Sequence, residues 1–295
     1  MNIFENYATV LENENLDKYT SFKIGGPAKT LLFPKDEASL IKIIEICKLE
    51  NLKYIILGNC TNVLVSDEGY DGVVILLKNV LDNISINGNV VSAGAGATLR
   101  DVANKALDKS LGGLEFAHGI PGSVGGGVIM NAGAYDGELK DVVKSVRLLN
   151  NDLEIIELTN EEMNFSYRTS IAQEEHYIIL SATFNLESAD PVLVKEKMDD
   201  LWNRRVTKQP LEYPSAGSTF RRPTGYFAGK LIDDSGLRGF THGNVAVSEK
   251  HCGFVINKGG ATAKEVKETI ETIQKIVKDN YGVELRREVK YVGDN

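Results

Sequence analysis

Residues 112–137 read GGLEFAHGIPGSVGGGVIMNAGAYDG and hold nine of the chain's 28 glycines. A glycine inside a helix or strand costs about 0.5–1 kcal/mol relative to alanine, so this density argues against one long regular element. It leaves backbone that can come close to a ligand with its N–H groups turned toward it. Pro121, between Ile120 and Gly122, fixes a turn near the centre. A pair of purely structural turns would have the same composition.

Upstream, Gly58-Asn59-Cys60-Thr61-Asn62 follows directly on the apolar run 54–57. A strand opening into such a loop places amides beside a phosphate, although a simple turn would look the same. Gly94-Ala95-Gly96 invites comparison with a dinucleotide fingerprint, but Leu99 stands where the third glycine belongs. No acidic residue closes a second strand at the expected distance. The stretch reads as a tight strand-to-helix turn.

Helix signals alternate with short strands along the rest of the chain. Asp36 is placed to cap a helix to about Leu49, with Leu40, Ile43, Ile44 and Cys47 on one face. Thr98 with Asp101 resembles a capping box, Asp190-Pro191 opens another helix, and Thr262 with Glu265 opens a fourth. Strands are expected over 54–57, 73–77, 90–93, 146–149, 154–158, 177–184, 254–257 and 283–292. The order fits an α+β architecture better than a regularly alternating one.

The net charge of −8 argues against a nucleic-acid backbone as the main partner, because no basic excess exists to release counterions. The first ten residues do not read as a signal peptide. No run approaches the ~18 apolar residues that span a bilayer. Cys47, Cys60 and Cys252 are far apart and form no zinc spacing, which fits a reduced, cytoplasmic protein without a structural metal.

Several motifs occur together in a fixed order: TSFKIGGPA (20–28), LGNCTNVLVSD (57–67) and GLEFAHGIPGSVGGGVIMNAGAY (113–135), then FSYRTS (165–170) and PSAGSTFRRP (214–223). AGKLID (228–233), VSEKH (247–251) and REVKYVG (287–293) complete the set. Over nearly the whole chain this resembles the UDP-N-acetylenolpyruvoylglucosamine reductase family, in its shorter form that lacks an extra substrate-covering loop.

The resemblance implies an FAD-binding fold of the vanillyl-alcohol oxidase type with an additional C-terminal α+β substrate domain. Residues 1–78, joined by 286–295, are expected to form the first part of the FAD-binding region, 79–205 its second subdomain and 206–285 the substrate domain. Non-covalent FAD is expected on Gly58, Asn59, Cys60, Thr61 and Asn62, and on Ile120, Pro121, Gly122, Ser123, Gly125, Gly126, Asn131 and Gly133. The family usually has glycine and serine where this chain has Cys60 and Thr61, and lysine and asparagine where it has Arg221 and Arg222.

The implied reaction uses NADPH to reduce the enol ether of UDP-N-acetylglucosamine enolpyruvate, in peptidoglycan precursor synthesis, by a protein expected to be monomeric. Negative charge develops beside the substrate carboxylate and a carbon must then be protonated. By the resemblance Arg168 stabilises that charge, Ser218 gives the proton and Glu288 partners the carboxyl group. Read from composition alone, Arg168 is an arginine after a turn, Ser218 a turn residue, and Glu288 part of a charge ladder with Arg286 and Lys290. Tyr167, Arg221 and Lys230 sit beside the motifs as donors for substrate or NADPH. Of the four histidines only His118 lies inside the flavin segment. A flavin oxidase of similar fold and a flavin-free binding protein are the rival expectations.

Overall fold

The computed structural model describes residues 2–293. The chain forms two compact units: Met1–Leu11, Leu31–Asn59 and Val73–Arg205 in the first, Glu12–Thr30, Cys60–Gly72 and Val206–Asn295 in the second.

The first unit is built on an antiparallel sheet in the order Ile155–Thr159, Val143–Leu149, Ile178–Asn185, Val90–Gly94, Ile84–Asn87. Register places Ala182 opposite both Val146 and Ala93, a cross-strand row that is entirely buried. Tyr54–Leu57 pairs in parallel with the strand Tyr70–Leu76, Tyr54 opposite Val73. These two join Pro27–Pro34 and Ala8–Asn15 in a four-stranded sheet. Ala8–Asn15 carries too little apolar alternation to be read from sequence, since ATVLENEN is mostly polar and half exposed.

Helix α1 (Glu37–Leu49) starts at Asp36, whose carboxylate accepts the Ser39 N–H at 2.8 Å, and buries the four apolar residues expected. Helix α2 (Leu99–Leu107) is capped by Thr98, which accepts the Asp101 N–H at 3.0 Å. The reciprocal half of the expected box is absent, because the Thr98 hydroxyl donates to the Asp101 carboxylate instead. Helices α3 (Val124–Ile129) and α4 (Ile171–Glu174) are short; α5 (Pro191–Lys208) begins where Asp190 accepts the Val192 N–H.

The second unit packs helices α6 (Ala228–Asp234) and α7 (Ala263–Tyr281) with an antiparallel sheet of Thr241–His242, Val245–Val247 and Val255–Asn257. Val266, Ile270, Ile273 and Val277 of α7 are buried with Ile232, Val247, Phe22 and Leu64. A full capping box of Thr262 and Glu265 opens α7, and Gly282 closes it in the left-handed region at φ 68°.

The expected strand over 283–292 is corrected. Only Lys290–Val292 is a strand, parallel to Val63–Val65. The preceding residues lie against a different partner: Phe220 bridges Arg287, Glu288 N–H donates to Thr219 O, and Arg221 N–H donates to Arg286 O. One continuous ladder cannot form when the partner changes midway. Among the described residues no helix is long and apolar enough to cross a membrane, and no His/Cys/Asp/Glu cluster could hold a metal. The three cysteines are buried and form no disulfide.

Candidate active site

In the first unit the two glycine-rich stretches meet. A Cβ on Gly58 would stand 2.2 Å from the Ser123 hydroxyl and 3.3 Å from its Cβ, so the backbone of residue 58 lies close on Ser123. Asn59 Nδ2 donates to the Pro121 carbonyl at 3.0 Å. Leu99 N–H donates to Gly122 O, Val124 N–H to Ala97 O, and Gly125 N–H to Ala95 O, which lays the 121–126 loop along the 94–98 turn. Gly96 itself is pressed on the Val80 carbonyl, 1.7 Å from where a Cβ would lie, so its role is the tight turn expected. The N–H groups of Gly122 and Ser123 reach no protein acceptor among the described residues, although Ser123 is buried. Such donors call for a partner, and an anionic diphosphate supplies one. This loop therefore fits a dinucleotide.

The rest of the segment builds a support. Asn131 is fully buried, and both of its amide hydrogens are used: Nδ2 donates to Glu138 Oε2 at 2.9 Å and to Ser166 O at 3.1 Å. Its Oδ1 accepts the Lys140 N–H at 2.9 Å. Bonds from Lys140 and Asn131 hold the Glu138 carboxyl below the usual range despite partial burial. Ser166 and Thr169 exchange both backbone bonds, so Tyr167 and Arg168 form the tip of a two-residue turn. Arg168 sits there at φ 58°, uncommon for a side chain of its size. Its Nη2 donates to the Gly133 carbonyl at 3.2 Å, and its guanidinium lies 5.4 Å from the Tyr167 ring centre. Asn131 and Gly133 thus hold the turn that presents Arg168.

A cationic cluster adjoins Gly119. Arg100 stacks 4.5 Å over Trp202, His118 meets the same ring edge-on, and Arg205 lies against Gly119. Neither arginine has a carboxylate partner among the described residues, and burial, with Arg100 nearby, holds Arg205 below the ordinary arginine pKa. His118 Nδ1 is buried without a hydrogen-bond partner. Only the tertiary contact of α5 with Gly119 marks Arg205; nothing local in the sequence does.

In the second unit Cys60 is buried at φ 51°, the left-handed region, which explains why glycine suits that position in the family. Its carbonyl accepts from the Ser21 N–H and hydroxyl. Two residues on, Asn62 Nδ2 donates to Glu288 O at 3.2 Å while Asn62 O accepts the Lys290 N–H at 3.0 Å. The 60–62 loop is therefore bound to the backbone around Glu288. Ser218 belongs to the segment on the other side, since Thr219 and Glu288 share a backbone bond of 2.8 Å. Burial, then Arg221 and Arg287, lowers the Lys290 pKa, whereas Glu288 opposes them. Glu288 and Arg221 are half-buried while Arg286, Arg287 and Lys290 are exposed, so Glu288 lies among cations at the surface of this unit. Lys230 stands on exposed α6 surface, paired with Asp234. Arg287, which stacks on Tyr291 at 3.6 Å, and Lys290 were not singled out from sequence.

Fold and loops together define an α+β protein with an FAD-binding domain and a further C-terminal domain. Residues 28–159 match the family model described as FAD binding domain, and 209–292 match that of the UDP-N-acetylenolpyruvoylglucosamine reductase C-terminal domain. Over 290 residues the chain is 52% identical to a Clostridium perfringens protein of that name, covering 98% of this chain and 95% of the relative. A Clostridium novyi relative of the same name is 52% identical, covering 97% and 92%. The crystal structure of the Thermus caldophilus reductase superposes with a TM-score of 0.83 at 31% identity, covering 97% of this chain and 98% of the other. The chain belongs to the UDP-N-acetylenolpyruvoylglucosamine reductase family.

Proposed function

We propose that this chain reduces UDP-N-acetylglucosamine enolpyruvate to UDP-N-acetylmuramate with NADPH, as a cytoplasmic monomer serving peptidoglycan precursor synthesis. The observation that carries the reading is the close seat of Gly58 and Asn59 on the 121–123 loop, with the Gly122 and Ser123 N–H groups left for a diphosphate, in a chain of this family. FAD bound there supplies hydride transfer from NADPH to the enol ether.

The chain's own residues bind, orient and move the proton. Gly58 to Asn62 and Ile120 to Gly126 hold the dinucleotide, and residues 206–285 cover the substrate. Arg168, fixed by Gly133, pairs with the substrate carboxylate and stabilises the charge that develops beside it. Ser218 gives its proton to the carbon next to that carboxylate, and Glu288 shares a proton with the carboxyl group. Tyr167, Arg221 and Lys230 contact the nucleotide phosphates, with the cations Arg287 and Lys290 adding attraction.

Without oxygen, NADPH is expected to bleach the bound flavin and the enolpyruvyl nucleotide to restore its colour. Restoration by oxygen but not by the nucleotide would mean an oxidase; a colourless protein that takes up no FAD would rule out a flavoenzyme.

A further inference from the structure

Among the described residues Ser218 Oγ has only a long contact of 3.5 Å to Phe220 O, and Gly217 before it turns at φ 74°. A serine so weakly tethered needs its backbone held. Thr219 N–H donates to Gly253 O at 2.8 Å, and Thr219 Oγ1 accepts the Val255 N–H at 3.1 Å. The other side of residue 253 is held in turn, because Gly253 N–H donates to His251 Nδ1 at 3.0 Å. His251 and Ser218 also come near one point: where a Cβ on Gly253 would lie, His251 Cε1 is 2.9 Å away and Ser218 Oγ 3.5 Å away.

We propose that His251 is a positioning residue that holds Ser218 in place for proton delivery, acting through Gly253 and the backbone of Thr219. This rests on Ser218 being the proton donor.

The clamp requires the imidazole to be neutral. With Nδ1 accepting, Nε2 carries the hydrogen; protonation makes both nitrogens donors and sets Nδ1 against the Gly253 N–H. The surroundings favour the neutral ring. Phe254 meets it edge-on at 5.1 Å, and α6 brings Gly229 against it. Burial, with Arg238 as the nearby cation, keeps its pKa below the ordinary histidine value. Arg238 is engaged by Asp233 and Glu249 O, Lys230 by Asp234, and Lys250 by Glu212 and Val206 O. The neighbouring Cys252 thiol is pushed up by burial and stays neutral. None of these gives the ring a carboxylate to stabilise its charged form.

Two variants of the holoenzyme test the clamp. His251→Phe keeps the bulk and loses the acceptor; His251→Asn offers an amide oxygen near the Nδ1 position and does not titrate. Two measurements are made: single-turnover flavin reduction by NADPH and reoxidation by the enolpyruvyl nucleotide, and amide exchange at Gly253 and Thr219. The Phe variant is expected to slow reoxidation and speed exchange at both amides by about tenfold, the size of one lost hydrogen bond, with NADPH reduction unchanged. The Asn variant is expected to restore both and to lack the fall in protection that wild type should show as pH falls. Wild-type exchange at the two amides in the Phe variant overturns the proposal, as does equal slowing of both half-reactions. The exchange measurement needs no nucleotide. If the nucleotide fails to reoxidise wild-type flavin, the functional reading falls, and exchange still decides the clamp.

Discussion

Asn131 donates to the backbone carbonyl of Ser166 at 3.1 Å, tying the end of the glycine-rich segment to the turn that presents Arg168. The segment therefore does two jobs. Its first half offers donors beside Gly58, and its second half aims an arginine.

Removing the Asn131 side chain tests that tie. Asn131→Ala removes the bonds to the Glu138 carboxylate, the Ser166 carbonyl and the Lys140 N–H, although Glu138 keeps Lys140 and Ser166 keeps the Thr169 N–H. Each lost bond costs about 0.5–1.5 kcal/mol. We expect the midpoint of urea unfolding to fall accordingly and nucleotide-driven flavin reoxidation to slow more than NADPH-driven reduction. Unchanged stability would show that water replaces the amide; equal slowing of both half-reactions would mean that the tie does not act through Arg168.

Much of this arrangement was legible from local signals. The caps Asp36, Thr262 and Asp190 act within a few residues, so α1, α7 and α5 could be read directly. That the two glycine-rich stretches serve one ligand was legible only through the family resemblance, because the approach of Gly58 to Ser123 is a tertiary contact. Ala8–Asn15 escaped because its sheet neighbours, not its own pattern, make it a strand. The final strand was read too long because residues 286–288 bond to 219–221 and 290–292 to 63–65, a change of partner that no periodicity records. Arg205 and His251 escaped for a related reason. Their meaning lies in contacts with Gly119 and Gly253, and nothing in the residues themselves announces it.

The buried histidines set a pH dependence with a definite sign. Burial holds both His118 and His251 below the ordinary histidine pKa. Between that lowered value and about 6.5, the unfolded chain binds more protons than the folded one. Stability therefore rises with pH through this window, is complete above it and is lost as pH falls. Each site adds a slope of at most about 1.4 kcal/mol per pH unit. Urea unfolding at pH 7.5 and 5.5 should show a smaller difference for His251→Asn than for wild type. Equal differences would assign the slope to other groups.

Cys60 carries a side chain in a left-handed conformation, which costs roughly 1–2 kcal/mol for an L-residue. Cys60→Gly removes that cost but loses a buried side chain and gains unfolded-state freedom worth about 0.5–1 kcal/mol. These terms nearly cancel, so stability should change by less than about 1 kcal/mol while FAD affinity holds. Cys60→Val has the opposite character, because a β-branched residue tolerates positive φ worst. It should lose at least about 2 kcal/mol. A valine variant as stable as wild type would show that the loop relaxes out of this conformation.

Arg205 offers the sharpest separation of function from stability. It is laid against Gly119, next to the 121–126 loop, with Arg100 close enough to repel it and no carboxylate partner among the described residues. A guanidinium partly withdrawn from water beside another positive charge destabilises the folded apoprotein. An anion at this place would reverse the balance, since a charge-assisted hydrogen bond contributes about 1.5–3 kcal/mol. If the FAD diphosphate is that anion, Arg205→Met should weaken FAD binding to the apoprotein by roughly 10–150-fold. The same change should leave the apoprotein as stable as wild type or more so, because it removes the repulsion with Arg100. Arg205→Lys should recover only part of the affinity, since an ammonium cannot reproduce the planar donor pair. Titration of apoprotein with FAD, alongside thermal unfolding without it, gives both quantities. A methionine variant that is destabilised yet binds FAD as tightly as wild type would make Arg205 a packing residue of α5.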